Sequence, residues 1–141
     1  MDADTPEYNW SDAWILLAIV YAGDKGATLE RIISVGDGIN HAIFNPDELE
    51  SGLARLASGG LIKEKNGIIS PTVKVKRAYS KTTTPRRTMF KELEDMRVFL
   101  LAAPSSLKQP KRNNLKYPGF SITAYDEAVD SYVEKFGQKV R

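Results

Sequence analysis

Apolar side chains recur at helical spacing in three stretches of the first sixty residues, and each stretch predicts a helix. The first begins at Ser11, a favourable N-cap, and ends at Gly23; it is apolar on nearly every side, which is typical of a central helix. The second begins after Thr28, another favourable N-cap, and carries a narrower apolar stripe. We expect this second helix to weaken at the two glycines of residues 36–38, and residues 39–44 then link it to the next element or continue it as a helix.

The third stretch has the clearest start and is followed by a hairpin signal. Asn45 is an N-cap, Pro46 occupies the first helical position, and Glu48 is placed to close a capping box. Asn66-Gly67 lies between two short runs that contain apolar residues, and this dipeptide favours the type I′ turn. The predicted order is therefore three helices and then a two-stranded hairpin. The predicted core comprises Leu17, Ile32, Leu49, Leu53, Leu56 and Ile62.

The second half of the chain predicts further helices, with one ambiguous stretch. Residues 71–81 alternate in hydrophobicity as a strand would, but a serine-proline pair before them is also a helix start, and we favour the helix. Thr84 and the following proline repeat that start signal before a long amphipathic helix over 85–101. A loop is expected next, and a last helix begins at Thr123 and ends at Gly137.

The predicted helix over 85–101 follows a small domain that is already complete. Such a helix often buries its apolar face against a partner chain, so we expect a homodimer. We divide the chain into an N-terminal tail over 1–10, a domain over 11–82, and a C-terminal helical extension over 83–141 that dimerises. The apolar face of the long helix consists of Met89, Leu93, Met96 and Leu100.

Composition narrows the class of protein. The chain has no cysteine, so neither disulfides nor thiolate metal sites are possible. Its single histidine, His41, has no second histidine or cysteine as a partner for metal binding or catalysis. We therefore expect no metal, no cofactor and no catalytic site. The longest apolar run, 13–22, is too short to cross a bilayer, and the acidic start is unlike a signal peptide. These features predict a cytoplasmic protein that is not an enzyme.

The formal net charge of +2 hides a strong asymmetry along the chain. Residues 1–50 carry ten acidic and two basic side chains, whereas residues 51–91 carry one acidic and ten basic. Clustered cations of this kind are what phosphate binding requires; the alternative is a solvated surface that balances the acidic half of the chain. A second basic stretch over 108–116 is interpreted as a polar loop; the alternative is an arm that grips phosphates.

The stretch from Glu48 to Ile62, ELESGLARLASGGLI, resembles the third helix and first wing strand of the winged helix-turn-helix superfamily. In that superfamily leucines pack a helix that ends at a glycine, and Leu-Ile begins the hairpin. The resemblance covers roughly residues 11–70, and the later helices resemble the dimerising helices of MarR-like and PadR-like regulators. It implies a mainly α fold with a small β-hairpin, namely a winged helix plus C-terminal helices.

The resemblance also implies a transcriptional regulator that binds double-stranded DNA, with the third helix in the major groove and the wing on the backbone. Candidate phosphate-binding residues are the cations of the third helix, of the wing strand and of the segment that follows it. Those of the wing strand share one face, as do those of the following segment if it is helical. The candidates are Arg55, Lys63, Lys65, Lys74 and Arg77.

One feature departs from the superfamily pattern. Asp47, Glu48 and Glu50 lie in the first turns of the third helix, where base edges would be met, and they would face phosphates. The alternative function is therefore a winged helix that docks another protein through this acidic surface. DNA binding requires a positive surface that joins the wing to the third helix, whereas an interaction module requires a third helix that is negative or covered.

Overall fold

The computed structural model describes residues 8–23, 25–102 and 116–140, except for the side chains of 137–140. Within these ranges the chain forms helices and one two-stranded antiparallel hairpin, so the predicted class, mainly α with a small β-hairpin, is confirmed. In chain order the elements are α1 (Trp10–Ala22), α2 (Leu29–Asn40), α3 (Pro46–Ser58), β1 (Ile62–Lys65), β2 (Ile68–Pro71), α4 (Val73–Thr82), α5 (Met89–Leu101) and α6 (Ile122–Val140).

α1 is the central helix that its composition predicts. All residues from 12 to 19 are buried, and the helix packs against α2, α3 and α5. It ends at Gly23, as expected, but its N-cap is Asn9 and not Ser11. The backbone N–H of Asn9 donates to the Asp12 carboxylate at 2.9 Å, so an acid in the first turn determines where the helix starts.

α2 begins after Thr28, whose hydroxyl accepts a hydrogen bond from the Arg31 N–H at 3.2 Å. The expected weakening at 36–38 is wrong, because the helix continues to Asn40. Gly36 is buried directly under the ring of Phe44, and a side chain there would collide with that ring. This glycine therefore permits close packing inside a helix and does not end it.

α3 and the hairpin follow the sequence closely. The Glu48 N–H donates to the Asn45 side chain at 2.8 Å, and the Asn45 N–H donates to the Glu48 carboxylate at 3.0 Å, which completes the predicted capping box. Asn66 and Gly67 both have positive φ, 53° and 79°, as a type I′ turn requires. The six predicted core residues, Leu17, Ile32, Leu49, Leu53, Leu56 and Ile62, are all buried in one cluster.

The hairpin is held to the helices at both ends. Ala27, between α1 and α2, pairs with Ile69 through two backbone hydrogen bonds of 2.7 and 2.8 Å. At the other end Pro71 pairs with Ile62, and Thr72 donates its hydroxyl proton to the Gly60 carbonyl at 2.8 Å. α4 starts directly after Thr72. The helix favoured over 71–81 is thus confirmed, although the serine-proline pair belongs to β2 and does not start it.

α5 packs against α1 with the face that was expected to dimerise. Leu93, Met96 and Leu100 are buried within this chain, while Met89 remains 41% exposed. No second chain is needed to cover them, because α1 is apolar on all sides and accepts α5 as a neighbour. The helix begins after Thr88, four residues later than predicted.

α6 packs against α2. The Ser121 hydroxyl accepts from the Ala124 N–H at 3.0 Å, so the helix starts before the predicted cap, Thr123. It continues past Gly137, where we expected it to end. Most of the loop predicted before it, 103–115, lies outside the described residues.

Candidate nucleic-acid interface

The first hairpin strand, β1, presents two exposed cations on its outer face. Alternate residues of a strand point to opposite faces, so Lys63 and Lys65 lie opposite the buried Ile62. Neither lysine forms an ion pair with any residue of the described ranges. Both ammonium groups are therefore available to an external anion.

α4 continues this cationic character directly after the hairpin. Lys74, Arg77 and Lys81 are exposed and fall on one face of the helix, at i, i+3 and i+7. The opposite face is anchored by Val75, which is fully buried. None of the three cations makes an ion pair within the described part of the chain. Like β1, this face of α4 offers uncompensated positive charge.

A buried carboxylate fixes the orientation of α4. Glu92 of α5 accepts hydrogen bonds from the hydroxyls of Tyr79, at 3.0 Å, and of Tyr21 and Thr83. Burial raises the pKa of Tyr21 and Tyr79, and the hydrogen bonds to Glu92 also favour the protonated tyrosines. This cluster ties α4 to α1 and α5, and so fixes the direction in which the cations of α4 point.

Arg55 is not part of any surface, which corrects the expectation that it contacts phosphate. The residue is 3% exposed, and its side chain binds Asp12 of α1 through two hydrogen bonds, Nε to Oδ2 at 2.7 Å and Nη2 to Oδ1 at 3.0 Å. A guanidinium so paired inside the core cannot reach DNA. The available signal was Asp12, an acid within a helix that is otherwise apolar and central.

α3 has no continuous exposed face. Residues 51–56 are all buried. α1 covers one side, and on the other the segment that precedes α6 approaches the helix, where the Tyr117 N–H donates to the Glu50 carboxylate at 3.3 Å. Tyr117 is itself buried, and its hydroxyl bonds to Glu64 of β1. Burial first and this hydrogen bond second raise the pKa of Tyr117.

Further contacts hold α6 across the outer side of α2. The hydroxyl of Tyr125 donates to the Phe44 carbonyl, that of Tyr132 donates to Asp37 at 2.6 Å, and Lys135 pairs with an acid of α2 at 2.8 Å. Burial, together with the hydrogen bond to Asp37, raises the pKa of Tyr132 to about 12. No local pattern in the sequence predicts that α6 lies across α2, because the partners are more than sixty residues apart along the chain.

The positive surface therefore comprises β1 and α4 and does not extend onto α3. The only basic residue of α3 is the buried Arg55, and its first turn presents Asp47 and Glu48. Four of the five predicted cations are exposed on two consecutive elements joined at Thr72. They are Lys63, Lys65, Lys74 and Arg77.

Neither a metal site nor a membrane helix is found in the part of the chain that the structure describes. There, no three side chains of His, Cys, Asp or Glu are grouped so that they could hold a metal ion. No described helix has both the length and the apolar character that crossing a bilayer demands.

Comparison of the chain with protein-family models, with curated proteins and with solved structures gives no match.

Proposed function

We propose that this chain is a winged-helix protein that binds the phosphate backbone of double-stranded DNA through β1 and α4, as a DNA-associated regulator would. One observation carries the proposal. The outer face of β1 and one face of α4 present exposed cations that no acid in the described ranges neutralises. Clustered and uncompensated charge of this kind provides sequence-independent affinity for DNA.

The order of the elements supports the winged-helix part of the proposal. Three helices precede a tight hairpin, and Ala27, between the first two helices, pairs with the hairpin as a third, very short strand. In winged helices the wing lies on the DNA backbone. The lysines of β1 occupy the corresponding place in this chain.

The mode of binding we propose differs from that of the superfamily in one respect. A recognition helix needs an exposed face with which to meet base edges, and α3 is buried along residues 51–56. Phosphate contacts position a protein on DNA but carry no sequence information. We therefore expect binding that depends on salt and not on base sequence.

Charge reversal on α4 tests the proposed surface. Arg77→Glu replaces an attracted charge with a repelled one and should weaken binding to a fluorescent duplex at least about tenfold at low salt. The matched control is Arg31→Glu, which makes the same change at an exposed arginine of α2. If both variants weaken binding equally, the effect is one of net charge, and the assignment of the surface to β1 and α4 is wrong.

A second candidate function is a protein-interaction module. The observation that favours it is that α3 is acidic at its start and buried over residues 51–56, since an interaction module requires a third helix that is negative or covered. If the wild-type chain shows no affinity for duplex DNA even at about 50 mM salt, where phosphate contacts are strongest, the DNA-binding proposal fails and this alternative replaces it.

A further inference from the structure

α5 has a second apolar stripe, separate from the face that packs on α1. Phe90 and Leu101 are 72% and 73% exposed. With Glu94 and Arg97 they occupy positions i, i+4, i+7 and i+11, which fall along one side of a helix. Large exposed side chains aligned in this way indicate a surface that another molecule covers.

The two charged residues of this stripe lie between the two apolar ones. Glu94 and Arg97 are about half exposed and form a loose pair, with 3.5 Å between Nη1 and Oε2. An exposed pair of this kind contributes little to the stability of one chain. Along α5, the order of side chains in this stripe is apolar, acidic, basic, apolar.

A two-fold axis midway between residues 95 and 96 makes the stripe complementary to itself. In an antiparallel arrangement, Phe90 lies opposite Leu101 of a second copy, and Glu94 lies opposite Arg97 of that copy. Opposite charges then meet at the centre and apolar side chains meet at both ends. A parallel arrangement would instead place Glu94 against Glu94 and Arg97 against Arg97.

We propose that two copies of this chain associate through antiparallel α5 helices, with Phe90, Glu94, Arg97 and Leu101 at the interface. The self-complementary charges identify a second copy as the occupant. Such an isologous contact is the commonest kind of oligomer interface. It uses a different side of α5 from the face that sequence alone suggested, since that face is filled by α1.

The size of the surface sets the expected strength of the dimer. The stripe spans eleven residues, or about 16 Å at 1.5 Å per residue. Trp10 and Met89, both partly exposed, line a small groove beside Phe90 and extend the apolar surface. An interface of this extent lies at the small end for specific complexes, so we expect a dimer that dissociates on dilution through the micromolar range.

Analytical ultracentrifugation across a concentration series tests the surface. Phe90→Asp should raise the dimer dissociation constant at least about tenfold, because it places a charge in the apolar end of the contact. Val133→Asp, at a half-exposed position of α6, is the matched control and should leave the constant unchanged. A wild-type chain that stays monomeric up to about 500 µM, or a dimer weakened only by the control variant, overturns the proposal.

A charge swap tests the antiparallel arrangement. Glu94→Arg alone brings arginines together at two places in the dimer and should weaken it. Adding Arg97→Glu to the same chain restores opposite charges across the axis and should restore association. If the double variant dimerises no better than the single one while both keep the helical circular dichroism of wild type, the proposed register is wrong.

Cysteine cross-linking locates the same contact independently, since the chain has no cysteine of its own. A mixture of Phe90→Cys and Leu101→Cys chains should form mixed disulfides when oxidised glutathione is added, because the paired positions approach to disulfide distance. Each variant alone should not, because its two cysteines are then offset by about 16 Å along the helices. Cross-linking of each variant with itself and not in the mixture indicates parallel helices and contradicts the proposal.

Discussion

Asp12 and Arg55 place two opposite charges inside the helical core. Their two hydrogen bonds, at 2.7 and 3.0 Å, satisfy a carboxylate and a guanidinium that would otherwise be costly to bury. Gly52 makes room for them, because a side chain there would collide with Ile15 and with the Asp12 carboxylate. The pair thus specifies how α3 is set against α1, and it removes the only cation of α3 from the surface.

Breaking this pair should affect stability and not DNA binding. Arg55→Met leaves the Asp12 carboxylate buried without its partner and should lower the free energy of unfolding by about 3–5 kcal/mol. Combining it with Asp12→Leu removes the unpaired charge and should restore part of the loss. Urea denaturation measures both changes. A fall in DNA affinity of the folded Arg55→Met protein would show that this arginine does reach phosphate.

The burial of Arg55 could not be predicted from local pattern, because burial of a charged residue depends on its partner. A lone arginine on a predicted recognition helix has the pattern of a surface residue, and its partner lies 43 positions earlier. Lys63, Lys65, Lys74 and Arg77, by contrast, were predicted to be exposed from strand and helix periodicity alone, and the structure places all four at the surface.

For the helices and strands, local signals predicted which elements form more accurately than they predicted the residues at which those elements begin and end. The capping box of α3 and the Asn66-Gly67 turn are local, and both are confirmed. The starts of α1, α5 and α6 lie one to four residues from the predicted ones, because several capping residues lie close together there. The packing of α6 on α2, and the approach of the segment before α6 to α3, are tertiary contacts that have no local signature.

Two lysine substitutions, one on the hairpin and one on α3, test which of these elements lies near DNA. Ser70 pairs with Lys63 and lies on the same outer face of the hairpin, so Ser70→Lys should strengthen DNA binding several-fold. Glu50→Lys changes the charge by twice as much, but Glu50 bonds to the segment that covers α3, and affinity should change less than about twofold at physiological salt, where charges distant from DNA are screened. Fluorescence anisotropy compares the two. Stronger binding by Glu50→Lys would place α3 near the DNA groove.

Docking of α6 should be sensitive to alkaline pH. The pKa of Tyr132 is raised to about 12 by burial and by its hydrogen bond to Asp37, so the folded state favours the protonated phenol. That stabilisation is fully present below about pH 10, the ordinary tyrosine value, and is lost as the pH rises toward 12. The urea midpoint should therefore fall over this range. Tyr132→Phe cannot ionise and should show a smaller fall; an equal fall in both proteins would contradict this role for Tyr132.

At the scale of the whole molecule, the fold separates two kinds of surface. The cations of β1 and α4 lie on consecutive elements, while the acids of α2 and α3 are used largely as helix caps and as partners of the α6 segment. The charge asymmetry along the sequence therefore becomes an asymmetry in space. A molecule arranged in this way can approach a polyanion with β1 and α4 without bringing α3 into contact.

The salt dependence of DNA affinity tests whether β1 and α4 bind phosphates without base reading. With contacts from Lys63, Lys65, Lys74 and Arg77, the log–log slope of the wild-type protein should be about −4 on two duplexes of unrelated sequence. Lys63→Glu with Lys65→Glu should make the slope less steep by about 2 and weaken binding to both duplexes alike. An unchanged slope, or a loss confined to one duplex, would contradict the account.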